Sequence, residues 1–376
     1  MNRLVSWLEK RLNLAEFVSL LSAFGLLYTE VDTRKPVREA LRESIGRPVP
    51  AYARWPRVLG LVTVVLFIFQ IVTGSLLAFY YQPSPETAYI STRTILRDVS
   101  FGWFVHQFHR WAAQLLLIVL LLRLVRFFYR GLYRAPRELL WISTAALFVV
   151  GANMELTGRL LTWDALSYWS TVRALEIVFD LPVLGGILAF LLGGHDIIAP
   201  TLVRFYFLHV VLLPLFFIFF LYLGFSTIRR VGLSPEVSAH KEQAKASFRA
   251  HLYNLAILVT LMFAVIVTLA VLMPLPFQAE ADPFSTPAGV RPPWYFLAAY
   301  GFLEMFPAFV PRWLSASLLL LVLALFVMLP FLGRETDRER PSRYGATVAV
   351  GSLMFLAWAA CTVYGFLLDL PPGGGG

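Results

Sequence analysis

The stretch of sequence that decides the fold is residues 104–128, FVHQFHRWAAQLLLIVLLLRLVRFF. It exceeds the roughly 20 apolar residues that a helix needs to cross a lipid bilayer. Two histidines, His106 and His109, lie near its beginning, and Arg123 lies near its end. Ionisable side chains are costly inside a membrane and usually serve a function there. The stretch therefore predicts a transmembrane helix that carries a polar site.

The rest of the chain also has the composition of a membrane protein. Of its 376 residues, 58% are apolar and 15% are charged, whereas about 25% are charged in a typical soluble domain. These values argue against a water-soluble enzyme and against a disordered protein. The apolar runs reach roughly 20 residues, and this length excludes a transmembrane barrel, whose strands alternate over about 10 residues.

Seven apolar segments predict an all-α polytopic bundle of seven transmembrane helices. The segments span about 57–80, 104–128, 139–157, 203–227, 252–274, 312–333 and 345–368. An amphipathic stretch at about 2–27 precedes them, and we expect it to lie as a helix on the membrane surface. The predicted parts of the chain are a cytoplasmic N-terminal part, 1–56, a four-helix part, 57–230, and a three-helix part, 231–376.

The positions of the basic residues indicate the orientation of the bundle. The 32 Lys and Arg residues give a net charge of +9, and most lie before the first span and after the second, fourth and sixth spans. Because such loops stay in the cytoplasm, we predict a cytoplasmic N-terminus and an integral protein of a bacterial-type inner membrane. We call the cytoplasmic face the N side and the outer face the P side. The charge thus reflects topology and predicts no nucleic-acid partner.

Two histidines on different spans are placed to hold a haem. His109 lies about one turn into the second span and His209 about one turn into the fourth, so both lie at a similar depth near the P side. A haem b with two axial histidines requires this arrangement, since its iron binds one imidazole from each side. The alternative is a pair of histidines that are hydrogen-bonded within the bundle. The single cysteine, Cys361, excludes a cysteine-ligated iron–sulfur cluster.

Glycines at the same depth on two other spans support the haem interpretation. Gly74 lies in the first span, and Gly158 lies at the outer end of the third. A helix can approach the edge of a flat macrocycle where glycine leaves no side chain in the way. Packing of helices through small residues is the alternative explanation.

Short motifs in collinear order now indicate a family. They are QIVTG (70–74), FGW (101–103) with HRW (109–111), PREL (136–139), TGRLLTWD (157–164), LSYW (166–169), TLVRFYFLH (201–209) and ADPFSTP (281–287) with PPWYF (292–296). Together they resemble the motifs of the cytochrome b family of bc-type and bf-type quinol-oxidising complexes. The resemblance covers nearly the whole chain.

The resemblance implies a haem b on the P side, quinol as substrate, and partner subunits of the Rieske iron–sulfur or c-type cytochrome kind. It also leaves open a homodimer. It implies that His109 and His209 are the axial ligands of the haem iron, that glycines admit the haem, and that Arg204 lies near its propionates. The residues that it assigns to the haem site are Gln70, Gly74, His109, Gly158, Arg204 and His209.

The chain departs from the family at the second haem. The family's N-side axial pair lies further along the second and fourth spans, where this chain has Arg123 and either Leu223 or Gly224. Arg stays protonated and offers no lone pair to iron. Thr144 also replaces an accommodating glycine of the third span. We therefore predict that the N-side haem is absent and that Arg123 helps to fill its place.

The chain departs again at the quinol site. Pro293 stands where the family most often has a glutamate that accepts a quinol proton, and Pro cannot titrate. Tyr295 and Tyr300 could shape an aromatic pocket beside Trp294. Glu155 and Glu304 are candidate replacement bases, and the alternative is that each pairs with a nearby arginine.

Two functions are consistent with these observations. The first is a mono-haem electron-transfer subunit that exchanges electrons with quinol near the P side, without the complete two-haem path of a Q-cycle. The second is a degenerate, haem-bearing membrane anchor for peripheral redox subunits. The intact pair His109 and His209 favours a bound haem under both, whereas Pro293 and Arg159 favour the anchor.

Overall fold

The computed structural model describes residues 59–192, 199–231, 248–332 and 341–368, with isolated residues between 35 and 50 and at 194, 197, 245 and 246. The predicted surface helix at 2–27 lies outside the described residues. The helices of the first half are α1 (Leu59–Ala78), α2 (Pro85–Arg97), α3 (Gly102–Tyr129), α4 (Glu138–Leu160), α5 (Ala165–Phe179) and α6 (Leu184–Leu192). The fourth long helix, α7, comprises Ala199–Phe207, a π-helical turn at Leu208–Leu212, and Leu213–Val231.

The second half is also helical. Its helices are α8 (Phe248–Leu272), α9 (Trp294–Glu304), α10 (Arg312–Val327), α11 (Leu329–Leu332) and α12 (Pro341–Leu367). A two-residue antiparallel pair joins β1 (Val49–Pro50) to β2 (Lys245–Ala246). The predicted all-α bundle is thereby confirmed for the described part of the chain.

Six helices are long and apolar enough to cross a membrane. Within the described residues these candidate spans are Leu59–Ala78, Gly102–Tyr129, Glu138–Leu160, Pro200–Ile228, Tyr253–Leu272 and Val348–Leu367. The predicted sixth span, 312–333, begins with an apolar helix of 16 residues that ends at Val327. It therefore stays a prediction.

A proline explains why α10 is short. Pro330 has no N–H to donate to the carbonyl of Phe326, one turn before it, so the regular hydrogen-bond pattern is interrupted at Met328, and the helix resumes as α11. The Phe326 carbonyl accepts instead from the backbone N–H of Met328 and from the indole nitrogen of Trp141, the latter at 3.3 Å. The Trp141 bond joins α10 to α4.

The core of the bundle lies among α1, α3, α4 and α7, which α8 flanks. Leu66, Leu120 and Leu147 are fully buried there, and the rings of Phe67 and Phe217 stack with centroids 4.4 Å apart. The outward faces of these helices carry exposed apolar side chains, as a lipid-facing surface requires.

Polar contacts hold the segment 273–293 against the beginning of α3. The amide of Gln107 donates to the Leu275 carbonyl and accepts from the Leu275 N–H, both at 2.9 Å. Trp111 donates its indole N–H to the Met273 carbonyl at 2.9 Å. Asp164 caps the first turn of α5 and pairs with Glu280 in an isolated antiparallel bridge. These contacts place α9, which follows the segment, beside α3 and α4.

Candidate functional site

Two imidazole rings face each other inside the bundle. His109 projects from α3, and His209 lies in the π-helical turn of α7. Their ring centroids are 6.2 Å apart, and the ring planes are inclined at 73°. The π-helical turn has a local cause: Pro214 has no backbone N–H to donate to the carbonyl one turn before it, so the α-helical hydrogen-bond pattern is interrupted there. Such π-turns often occur at functional sites.

Hydrogen bonds leave the Nε2 atom of each imidazole ring with a free lone pair. His209 Nδ1 lies 2.8 Å from the Met154 carbonyl, which can only accept, so Nδ1 carries the hydrogen. His109 Nδ1 lies 2.8 Å from the hydroxyl of Thr73, which donates to the Phe69 carbonyl and so accepts from the ring. Metal-binding histidines make such bonds through the nitrogen that does not bind the metal.

The predicted glycines lie against these rings. A Cβ atom at Gly74 would lie 3.1 Å from His109 Cε1, and one at Gly158 would lie 2.5 Å from His209 Cε1. Any other residue at position 158 would displace the imidazole. Gln70 also contributes indirectly, because its amide donates to the His109 backbone carbonyl at 2.7 Å and thereby fixes α1 against α3.

A cavity of about 610 Å³ opens beside the two histidines. Its volume is within the range of about 300–1,000 Å³ that is usual for small-molecule sites. The wall is mostly apolar, and its polar side chains include Gln70, His106, His109, Arg110, Glu155, Arg159, Thr162 and His209. His106 Nδ1 is buried and has no hydrogen-bond partner in the described part of the chain.

The residues present fit a haem with two axial histidines. Two metal–nitrogen bonds of about 2 Å each, with the rings beyond them, would place the ring centroids about 6 Å apart. The observed separation is 6.2 Å. Both Nε2 lone pairs are available, and at positions 74 and 158 no side chain takes the place beside the rings. Among the basic residues of the cavity, Arg110 and His106 could pair with carboxylates of a bound group.

Four predicted site residues do not line this cavity, and one of them, Tyr295, is connected to it through a hydrogen bond to Glu155. Arg204 is exposed on α7 and does not line it. Tyr300 packs with Ile177 and Leu303 between α5 and α9, and burial raises the pKa of its hydroxyl. Glu304 is paired with Arg312 at 2.8 Å. The structure therefore does not bring Tyr300 and Glu304 to the histidines.

Glu155 instead joins three helices at the wall of the cavity. It forms an ion pair of 2.5 Å with Arg159 on α4 and accepts a hydrogen bond of 2.7 Å from Gln114 on α3. The hydroxyl of Tyr295 on α9 donates to its second oxygen, and Trp294 donates to the Gln114 side-chain carbonyl at 2.7 Å. Burial and the neighbouring carboxylate raise the pKa of Tyr295, so its hydroxyl stays a donor.

Sequence reasoning missed some of the groups that support the site. Thr73 and the Met154 carbonyl orient the imidazole rings, and Gln114 supports Glu155. Thr73 lies inside the QIVTG motif, so its position in the motif could have indicated that it belongs to the site. The Met154 carbonyl and Gln114 belong to no motif, and only the packing of α3, α4 and α7 reveals them.

Comparisons with known proteins identify the family. The model of Cytochrome b/b6/petB matches residues 45–232, and the model of Cytochrome b(C-terminal)/b6/petD matches residues 280–369. A relative from Chlorobaculum thiosulfatiphilum, named Cytochrome bc complex cytochrome b subunit, is 31% identical over 304 residues. The match covers 79% of this chain and 71% of the relative. The chain belongs to the cytochrome b family.

Two further similarities cover part or nearly all of the chain. Cytochrome b6 of Heliobacterium modesticaldum is 41% identical over 177 residues, which are 47% of this chain and 83% of that protein. A chain of a solved structure titled "Hyperthermophilic respiratory Complex III" is 26% identical and superposes with a TM-score of 0.74, covering 91% of each chain. Membership of the family makes this chain an integral membrane subunit of electron transport and implies binding of haem b.

Side chains pack the opposite half of this cytochrome b, where Arg123 lies. Arg123 is 2% exposed. Its Nε and Nη1 atoms have no hydrogen-bond partner among the described residues, and its guanidinium lies 5.2 Å from the centroid of the Phe127 ring. A Cβ atom at Gly60 would meet the Phe225 ring at 3.6 Å, and one at Gly224 would meet Ser143 Oγ at 3.1 Å.

Proposed function

We propose that this cytochrome b is a mono-haem electron-transfer subunit that exchanges electrons with quinol near the P side of a bc-like complex. One observation carries the proposal: His109 and His209 face each other at 6.2 Å with both Nε2 lone pairs free. A haem b at this site supplies a one-electron carrier within the membrane. The residues of the chain orient it, exclude water from it and provide basic partners for its carboxylates.

The packing around Arg123 supports the proposal of a single haem. Arg123 replaces one axial histidine, and the fourth span offers Leu223 or Gly224 in place of the other. Phe225 lies against Gly60, so the notch that glycine leaves in α1 is already filled. Electrons that reach the P-side haem therefore leave laterally to another subunit and do not continue towards the N side.

The proposed setting is an inner membrane with the N-terminus in the cytoplasm. The histidines lie at the beginnings of α3 and α7, and the connections after α3, α7 and α11 carry most of the basic residues of the loops. The cavity then opens near the P side. Partners of the Rieske iron–sulfur or c-type cytochrome kind would receive electrons there, and a second copy of the chain would form the homodimer.

A second candidate function is a haem-bearing anchor for peripheral redox subunits. Pro293 favours it, since the residue that immediately precedes α9 has no titratable group. Under this function the haem is bound and is indifferent to quinol.

Haem content and quinol reduction test the proposal. Purified protein should contain one haem b per polypeptide and show a single step in a redox titration. Anaerobic addition of duroquinol should reduce that haem within the time of one enzymatic turnover. Two haems per polypeptide would contradict the mono-haem state. A haem that dithionite reduces but duroquinol does not would favour the anchor.

A further inference from the structure

We propose that the buried ion pair between Glu155 and Arg159 lowers the midpoint potential of the haem, with Glu155 as its negative end beside His209. This inference rests on the haem binding that the proposed function requires, and it involves no contact with quinol. Both side chains line the cavity beside the two histidines. The side chain of Glu155 is 8% exposed and that of Arg159 is 17% exposed.

Helix α4 places the ion pair next to the residues that hold His209. The Met154 carbonyl lies 2.8 Å from His209 Nδ1, and a Cβ atom at Gly158 would lie 2.5 Å from His209 Cε1. Glu155 and Arg159 directly follow these two residues in the chain. Residues four apart are neighbours on one face of a helix. The ion pair therefore forms a row on α4 beside the row that contacts the imidazole ring.

The carboxylate of Glu155 is fixed in its ionised form. Arg159 donates to both of its oxygens, and Gln114 on α3 and Tyr295 on α9 donate one hydrogen bond each. An ionised carboxylate only accepts hydrogen bonds and has about four lone-pair sites. Because four hydrogen bonds occupy these sites, the group carries a fixed negative charge and has no place left for a substrate.

The ion pair is oriented with respect to the axial histidine. Of its two charges, that of Glu155 interacts with His209. Arg110 on α3 interacts with both charges and also with Asp164. Buried ion pairs contribute little to the stability of a fold, because desolvation of the two charges offsets their attraction. Their electrostatic effect on a neighbouring group is nevertheless strong, since the protein interior screens charges much less than water does.

The sign of the effect follows from the charge of the oxidised haem. The hydrogen bonds of His109 and His209 leave both imidazoles as neutral ligands. With neutral ligands, the oxidised haem carries one more positive charge than the reduced haem. A fixed negative charge nearby stabilises the oxidised form and so lowers the midpoint potential. A lower potential favours transfer of the electron to an acceptor subunit, as the proposed lateral path requires.

A redox titration of haem-loaded variants tests the inference. Glu155→Gln removes the negative charge at nearly constant size and should raise the midpoint potential. The double variant, Glu155→Gln with Arg159→Gln, removes both charges, so its potential should lie between that of Glu155→Gln and that of the wild-type protein. Glu155→Asp keeps the charge and should stay close to the wild-type potential.

A matched control and the absorption spectrum separate the electrostatic effect from structural damage. Glu176→Gln is the control, because Glu176 pairs with Arg173 on α5 and lies outside the cavity. Its midpoint potential should equal that of the wild-type protein. The b-type absorption spectrum should be the same in all variants, which shows that His109 and His209 remain the ligands. A purely structural role of the ion pair would reduce the haem content without this ordered rise of the potential.

The possible outcomes distinguish this inference from the proposed function. A potential of Glu155→Gln at or below the wild-type value overturns the inference. If Glu155→Gln loses its haem, the double variant decides, and a potential at or below the wild-type value again overturns the inference. If neither variant retains haem, the ion pair is structural and the inference fails. None of these measurements uses quinol, so a wild-type haem that duroquinol cannot reduce would contradict the proposed function alone.

Discussion

At the scale of single residues, the site depends on how closely glycine allows two backbones to approach the imidazole rings. His209 is held between the Met154 carbonyl and the backbone of Gly158. His109 has a similar position between Thr73 and Gly74. These contacts restrict the rotation of each ring before any metal binds. Such outer contacts typically change metal affinity by about 10–100-fold.

Replacement of Gly158 by alanine should abolish haem binding. The new Cβ atom would lie 2.5 Å from His209 Cε1, so the ring would have to leave its hydrogen bond with Met154. We expect loss of the b-type absorption spectrum from the purified protein. Gly186→Ala is the control, because a Cβ atom there meets nothing within 4 Å. A normal spectrum in Gly158→Ala would show that the ring can move without loss of the ligand.

At the scale of secondary-structure elements, α3 carries two different polar sites. Near its beginning are His109 and Gln107, whose amide is hydrogen-bonded to the backbone of Leu275. Its last turns bury Arg123. The cation–π contact with Phe127 compensates only part of the cost of burying the guanidinium. The buried charge of Arg123 therefore destabilises this end of the helix, whereas a neutral histidine at the same position would carry no charge.

Replacement of Arg123 by methionine should stabilise the protein. Removal of a buried group with unsatisfied donors should raise the free energy of unfolding by about 1–3 kcal/mol. The measurement is the midpoint of unfolding in detergent, with haem content as a second readout that should not change. Arg126→Met, one turn further along α3, is the control, since Arg126 has interactions of its own. A less stable Arg123→Met variant would show that Arg123 has partners which compensate its charge.

At the scale of the whole molecule, the orientation can be tested with cysteine labelling. The single native cysteine, Cys361, would first be replaced by alanine. Phe284, which is 98% exposed in the segment before α9, should lie on the P side, and Arg130 should lie in the cytoplasm. In intact cells, a membrane-impermeant maleimide should therefore label Phe284→Cys but not Arg130→Cys. The opposite labelling pattern would invert the proposed topology.

Sequence reasoning could predict the helices and the histidine pair because both depend on local patterns. Apolar length identifies a span, and His109 and His209 lie at matching depths in two of them. The different places of Glu155 and Glu304 depend on tertiary contacts: both carboxylates pair with arginines, and of the two Glu155 lines the cavity. The shortness of α10 was readable from Pro330, whereas the bond from Trp141 to Phe326 depends on the packing of α4.

The unequal filling of the two halves also affects the electrical properties of the bilayer. Water and small ions that enter the 610 Å³ chamber meet packed leucine and phenylalanine beyond it. Further in they meet the fixed positive charge of Arg123, which repels hydronium as comparable arginines do in water-selective pores. Under the proposed mono-haem function, redox chemistry stays at one face, and the packed half keeps the membrane insulated so that its voltage does not leak through the protein.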